Sequence, residues 1–302
     1  MATHIISRRI QYIIQYVNDF KHPSKKKILD FLNEKDFSVS SRTLERDIER
    51  IRADFGMEII YNKESNGYYI NEEKSFKVDS FFRFLEIVTL ADILTKSLKN
   101  GNKTLQYVSF DDSTHFKGIE NLKDILIAIN QKRELHFTHE NFSMHRFKEY
   151  VITPLLLKEY GNRWYIIGVP IGMEEIRTFG IDRISELTLG KLSNVKQKHF
   201  ETQIKGFKNI IGLNYQNKKP VKIRLLVEGL HIKYMQSLPL HHSQIIHSKN
   251  EKGQSFVDFF LIPNYEFITQ ILKITNETEV IYPEKLKLEI KRILKKSLDK
   301  YN

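Results

Sequence analysis

The sequence predicts a multidomain α+β protein in three parts, and three observations predict it. The first 70 residues carry three amphipathic helical stretches and then two β-rich runs around a turn. One helix followed by five short strand candidates occupies 118–198, the order of a small five-stranded β-barrel. Beyond 205 the apolar pattern runs βαββαβ with a closing helix, the order of a split-βαβ sandwich. The chain has 302 residues, more than one ordinary core organises. The expected domains are 1–72, a helical connector over 73–117, a barrel over 118–198, and a C-terminal domain over 205–302.

Composition bounds the classes. Hydrophobic residues make up 41% and charged residues 28%, which fits a soluble globular chain. No apolar run approaches a membrane span of about 20 residues. The N-terminal MATHIISRRIQYIIQYV has arginines inside an amphipathic repeat and no small-residue cleavage site, so no signal peptide is expected. There is no cysteine, which excludes disulfides, thiolate catalysis and Cys-ligated zinc and suits a cytoplasmic location. The net charge of +11 favours a polyanionic partner. Its distribution does not locate one, because the first 70 residues are nearly balanced and most of the surplus lies beyond 200.

In the first part, Ile6, Ile10, Ile13, Ile14 and Val17 fall at helical spacing. A second helix is expected from Ser24 through Leu32. After a short link, Ser40 and Ser41 offer N-caps to a third, SRTLERDIERIRADF, which Gly56 stops. MEIIYNKESNGYYI then reads as a hairpin turning at Asn66-Gly67. Three helices and a hairpin are the winged helix-turn-helix plan. Leu44, Ile48, Ile51 and Phe55 form one buried face of the third helix, leaving Arg42, Thr43, Arg46 and Arg50 outward. The N-terminal part of a recognition helix enters the major groove. Ser41 and the free N–H groups there suit a phosphate. An outward arginine can fork onto guanine, worth about 1–3 kcal/mol of discrimination. Lys63 at the hairpin tip would touch the DNA backbone. The alternative is a solvated helix whose charges merely pair along its surface.

In the second part, Thr153-Pro154-Leu155 precedes RWYIIGVPI, and IRTFGIDRI follows. Strand alternation puts Trp164 and Ile166 on one face and Arg163, Tyr165 and Ile167 on the other. Arg177, Phe179 and Ile181 share a face, with Asp182 opposed. One face is expected to be barrel interior. The other would be a basic, aromatic surface able to stack bases and grip phosphates. The same residues also read as a structural aromatic layer with an Arg–Asp staple.

Two resemblances follow from these motifs. Ser40-x-Arg42-Thr43-Leu44-x-Arg46-Asp47-Ile48-x-Arg50-Ile51 with Gly67-Tyr68-Tyr69 resembles the DeoR-type winged helix. Trp164-Tyr165-Ile166, the upstream Pro154, and the downstream Arg177-x-Phe179-x-Ile181-Asp182-Arg183-Ile184 resemble the WYL domain of bacterial regulators, here with Ile in the third signature position. The second resemblance implies a winged helix, an Sm-like five-stranded barrel and a C-terminal extension. It implies that the barrel senses a nucleotide or single-stranded nucleic acid. Tyr165, Arg177 and Arg183 carry over as ligand contacts, with Arg146 and Phe179 beside them, while Trp164 is expected to pack.

Little else in the chain points to chemistry. His136 and His139 fall on opposite strand faces, which argues against a shared metal, and His241, His242 and His247 cluster without a ligand motif. No Gly-rich phosphate loop, nucleophile elbow or H-E-x-x-H occurs. The Lys-rich closing helix reads as a solvated face or as a phosphate contact. The expected protein is therefore a ligand-responsive regulator of double-stranded DNA. It is expected to be a homodimer, with no enzyme activity, cofactor, metal or membrane association. The alternatives are an Sm-like protein binding RNA or single strands, and a nucleic-acid-processing enzyme.

Overall fold

A computed structural model describes residues 2–71, 117–142 and 146–302, with the side chains of 2–7 left aside. The chain divides into two compact units, Met1–Asp111 and Asp112–Asn302. The connector expected over 73–117 lies, apart from Lys117, outside the described residues. No helix among the described residues is long and apolar enough to cross a membrane.

The first unit contains α1 (Ala2–Asp19), α2 (Lys25–Glu34), α3 (Ser41–Phe55), β1 (Ile59–Asn62) and β2 (Gly67–Ile70). Ile10, Ile13, Ile14 and Val17 of α1 meet Ile28 and Leu32 of α2 and Leu44, Ile48 and Ile51 of α3 in one core, closed by Met57, Ile59 and Tyr68. Ser24 caps α2 by accepting the Lys27 N–H at 3.3 Å. Ser40 caps α3 by accepting the Thr43 N–H at 3.2 Å. Ser41 is thus the first helical residue rather than the cap. Gly56, at φ +61°, ends α3 in the left-handed conformation that a side chain disfavours. β1 and β2 pair antiparallel from Ile59↔Ile70 to Asn62↔Gly67. A Cβ on Gly67 would lie 2.0 Å from the His22 carbonyl oxygen, so only glycine lets the hairpin seat on the α1–α2 turn. Tyr68 then donates its N–H to the Pro23 carbonyl at 2.9 Å.

The second unit begins with α4 (Leu122–Gln131), then β3 (Arg133–Asn141), β4 (Arg146–Tyr160), β5 (Arg163–Pro170), β6 (Arg177–Gly180) and β7 (Ile184–Leu192). All five strands join one antiparallel sheet in the order β6-β5-β4-β3-β7. β6 and β7 are its two edges, yet only a three-residue 3₁₀ turn, Ile181–Arg183, connects them. Laid flat, edges four strand spacings apart would be separated by about 19 Å. Four residues of chain reach about 14 Å even fully extended. The sheet must therefore curl until its edges approach each other. Irregularities in register at Pro154/Leu156 in β4, and along β3 against β7, are where such bending is accommodated. No ladder joins β6 to β7 among the described residues, so the expected closed barrel is an open, curled sheet. The 3₁₀ turn occupies the place where a ladder would close it.

α4 plugs the concave side. Ile125 and Ala128 pack with Leu135, Phe137, Ile152, Ile166, Phe179 and Ile181, and Trp164 lies partly buried against them. The other side of β5 is covered too. Ile167 packs with Phe207, Ile210 and Ile262, backed by Ile204 and Tyr215, from α5 (Glu201–Gly206) and the chain that follows.

The remaining elements are β8 (Val221–Val227), α6 (His231–Ser237), β9 (Ile245–Ile246), β10 (Ser255–Leu261), α7 (Tyr265–Leu272), β11 (Thr278–Tyr282) and α8 (Glu284–Leu298). Their sheet order is β11-β8-β10-β9, every neighbour antiparallel. Each βαβ unit is thus split by one inserted strand. Alternate residues Ile223, Leu225, Val227, Val257, Phe259 and Leu261 face the helices, and Phe267, Ile271, Leu286 and Ile290 meet them.

One feature of α3 is absent from the apolar pattern. Asp47 is buried and accepts two bonds from Arg9 of α1, at 2.6 Å from Nε and 2.9 Å from Nη2. Removing one partner of such a pair leaves a buried charge and costs about 3–5 kcal/mol. Asp47→Ala is therefore expected to lower stability by that amount in urea denaturation. Replacing both partners with apolar residues should restore most of the loss. A double variant no more stable than Asp47→Ala would count against this origin.

Candidate functional site

On α3, Arg42, Arg46 and Arg50 are exposed, as are Ser41 and, on the four-residue hairpin tip, Lys63. The Asn62 side chain accepts the Glu64 and Ser65 N–H groups at 2.8 and 3.2 Å and so shapes the tip that presents Lys63. Two residues are less free than their spacing suggests. Thr43 is half-buried and its hydroxyl bonds to Ser40 Oγ at 3.1 Å. Arg50 Nε pairs with Asp54 at 3.2 Å, one turn on. Arg42 and Arg46 have no ion-pair partner among the described residues and are the open cations of this face. Glu45 is occupied by Lys25 at 2.6 Å. The Arg9–Asp47 pair fixes the opposite side of α3 to α1.

The curled sheet brings most of the other expected residues together. Arg146 at the start of β4, Arg177 and Phe179 of β6, and Arg183 of the 3₁₀ turn line one cavity of about 590 Å³. His139, Asn141, Phe147, Lys148, Tyr150 and Thr178 complete its wall. Four cations line this cavity and no carboxylate does, among the described residues. Arg146 and Arg177 are exposed and carry no ion pair among the described residues. The register explains the convergence. β3 and β4 pair His139↔Lys148 and Asn141↔Arg146, while β5 and β6 pair Gly168↔Arg177 across the curl. Phe179 is 3% exposed and packs edge-on against Phe137, His139 and Tyr150, with centroids 4.9–5.5 Å apart. It is a floor for the cavity, not an open stacking ring. The exposed rings are Phe147 on the wall and Phe142 nearby, over which the Arg183 guanidinium lies at 4.9 Å. Lys148 Nζ sits 5.3 Å above the Tyr150 ring.

Tyr165 is elsewhere. It lines a second cavity, about 390 Å³, with Ile176, Thr178, Arg183, Phe207, Leu213, Asn214, Tyr215 and Glu266. Its strand face was expected to be an open surface, but the 204–215 segment covers it. Burial pushes the Tyr165 hydroxyl up from its ordinary range, with Arg163 beside it acting the other way. A set of five converging on one surface therefore becomes four in one cavity and one in another, with Arg183 reaching both.

The 3₁₀ turn carries the polar tension of the site. Arg183 Nε is 3.7 Å from Asp182 Oδ1, too far for a hydrogen bond, and both atoms are buried without a partner. Arg163 Nη1 reaches the other Asp182 oxygen at 3.5 Å. His139 Nε2 is likewise buried and unpartnered. Burial first, and Arg183 second, lower the His139 pKa, so the ring is neutral near pH 7. A Cβ on Gly180 would lie 2.5 Å from Asp182 Oδ1 and 2.7 Å from Arg183 Nη2. Glycine there makes room for both side chains to fold back over β6.

The motif residues upstream are structural. Thr153 is fully buried and bonds to Ser193 Oγ at 2.5 Å. Gly168, paired with Pro154, could not carry a Cβ without meeting the Thr153 carbonyl oxygen at 2.7 Å. No group of three or more metal-ligating side chains occurs among the described residues. His136 is exposed and His139 faces the cavity floor. His241 is held by the Lys208 carbonyl at 2.7 Å and Ser243 Oγ at 2.8 Å, which is a packing role.

Comparison with protein families identifies the curled sheet. The model of the WYL domain matches residues 120–189. The chain carries a WYL domain. The match includes α4 and β3 to β6 and most of β7, and hence every described residue lining the cavity of Arg146, Arg177 and Arg183. It includes neither the first unit nor the β8–β11 sheet. Comparison with curated proteins finds no match. Among solved structures, proteasome accessory factor B/C (PafBC) of Arthrobacter aurescens is 14% identical with a TM-score of 0.32, over 97% of this chain and 47% of that one. A CRISPR Cas-related protein is 15% identical with a TM-score of 0.41, over 99% of this chain and 85% of that one. The chain spans about half the length of the first of these, and at such scores neither likeness carries an argument here.

Lys148, and the place of His139 in this cavity rather than at a metal, were missed by sequence reasoning, although Arg146, Lys148 and Tyr150 alternate along one strand face in plain view. Their relation to Arg177 required the strand order.

Gly180→Ala tests the packing of the turn. Its φ of −69° suits any residue, and the crowded atoms are side-chain ends that can move. The variant is expected to fold with a stability loss of about 1 kcal/mol or less by thermal denaturation, while displacing Arg183. A loss several times larger would show that Asp182 and Arg183 cannot move aside.

Proposed function

We propose that the protein is a DNA-binding transcriptional regulator whose WYL domain senses a nucleotide or single-stranded nucleic acid. The observation that carries this reading is the cavity in which Arg146, Lys148, Arg177 and Arg183 surround aromatic walls, with no carboxylate among its described lining residues. Guanidinium and ammonium groups take phosphate oxygens, and rings take base faces. The first unit supplies the second half of the reading. Its three helices and hairpin follow the winged helix-turn-helix order, with Arg42, Arg46 and Lys63 open on the side that would meet a duplex. In this reading the protein is a homodimer in the cytoplasm, because one short helix reads few bases and a pair doubles the footprint. It is not an enzyme and takes no cofactor. Ligand acts by binding two states of the protein with different affinity, and linkage makes DNA and ligand report on each other.

Genomic fragments selected by the protein at stated salt, with and without short oligonucleotides, test the whole reading. On a fragment so obtained, Arg42→Ala or Arg46→Ala is expected to cost about 1–3 kcal/mol and to relax sequence choice at one position. Equal affinity of both variants and parent would remove α3 from the interface. Arg177→Ala is expected to bind the fragment as the parent does without oligonucleotide, but to need about tenfold more oligonucleotide for the same response. A response curve that overlays the parent's would remove the cavity from sensing.

A further inference from the structure

Two cavities flank the β6 end of the WYL sheet, and among the described residues only Thr178 and Arg183 line both. The first is the anion cavity. The second is walled by Tyr165 and by Phe207, Leu213, Asn214, Tyr215 and Glu266 of the chain beyond the WYL domain. Arg183 is the one charged side chain common to the two. Its position is poorly satisfied where it stands. Its side chain is 24% exposed, its Nε is buried without a hydrogen bond, and its carboxylate neighbour Asp182 stays 3.7 Å away. A partly desolvated cation held by a ring face and a carboxylate 3.7 Å away is drawn toward any anion that enters its reach.

The far wall is built to register such a move. Glu266 Oε1 accepts the N–H groups of Leu213 and Asn214 at 3.0 and 2.9 Å, and Oε2 accepts from Asn264 Nδ2 at 2.9 Å. Asn264 is itself buried and ties the same segment through the Ile211 and Asn214 carbonyls at 2.7 and 3.2 Å. The 211–214 turn is therefore pinned by one carboxylate that shares a small cavity with the Arg183 guanidinium.

The geometry points to Arg183 as the residue that couples anion occupancy of the WYL cavity to the 207–215 segment. An anion held by Arg146, Lys148 and Arg177 draws the Arg183 guanidinium to its side. The second cavity then loses the one cation that lines it among the described residues, and Glu266, Tyr165 and the pinned turn repack. The inference rests on the proposed reading that the first cavity takes a phosphate-bearing ligand. It adds the route by which the C-terminal region learns of that ligand.

The test uses the full chain and a 5′-phosphorylated single-stranded DNA tetranucleotide, with hydrogen exchange followed at saturation in peptides covering 146–150 and 207–215. In the parent, both regions are expected to change protection. In Arg183→Lys, which keeps the charge but not the fork, affinity falls, and at saturating probe only 146–150 should change. Glu266→Gln keeps an oxygen for the Leu213 and Asn214 N–H groups and removes the competing charge. It should tighten the probe about threefold in the parent and have no effect in an Arg183→Met background, where no cation is left to compete for, the sign of an energetic coupling between the two positions. A response at 207–215 that survives in Arg183→Lys, or a parent that binds without any response there, overturns the coupling and leaves the ligand reading standing. A parent that does not bind the probe overturns both. The Glu266→Gln comparison keeps the question answerable should Arg183→Lys fold poorly, because a Glu266→Gln affinity equal to the parent's also overturns the coupling.

Discussion

The second unit depends on one geometric constraint, the three-residue connection between β6 and β7. Strands at opposite edges of a five-stranded sheet cannot be joined by so short a turn unless the sheet curls. Curling makes the concave side that α4 fills, and it swings the end of β6 toward the start of β4. Arg177 and Arg146 are 31 positions apart in sequence and line one cavity only because of that bend. The turn cannot also pair as a strand, so it leaves Asp182 and Arg183 incompletely satisfied at the place where two cavities approach. The site is thus a by-product of closing the sheet without a ladder.

A related economy holds in the first unit. α3 must be anchored on one side and bare on the other. The apolar residues Leu44, Ile48 and Ile51 give the anchor its strength, and the buried Arg9–Asp47 pair gives it a rotational setting that apolar contacts alone do not specify. Buried ion pairs are weak sources of stability but can fix register. With α3 so held, Arg42 and Arg46 project from its first turns. The alternating acids and bases along the exposed face are then partly used within the protein, as Lys25–Glu45 and Arg50–Asp54 show.

The expected ligand set illustrates how a motif divides between packing and binding. Of the signature tripeptide, Trp164 and Ile166 pack into the α4 core, and Tyr165 faces the other way into a second cavity. Thr153 and Gly168 serve the sheet itself. Phe179, expected to stack, is a buried floor, and the exposed rings are Phe147 and Phe142, which the motif does not contain. Residues that make a fold recognisable are those that the fold needs, so a signature reports packing at least as faithfully as contact.

Periodicity and turn chemistry in the sequence were enough to place most helices and strands of the described residues, though not the helix Glu201–Gly206, because most depend on neighbours within a few positions. Leu44, Ile48 and Ile51 could be read as a buried face, and the βαββαβ order could be read to its last helix. The openness of the sheet, the separation of Tyr165 from Arg177, the Arg9–Asp47 pair and the double exposure of Arg183 were not legible. Each is set by which strands become neighbours and by what covers a face. Those choices are made by long-range packing free energy, to which local pattern carries no key.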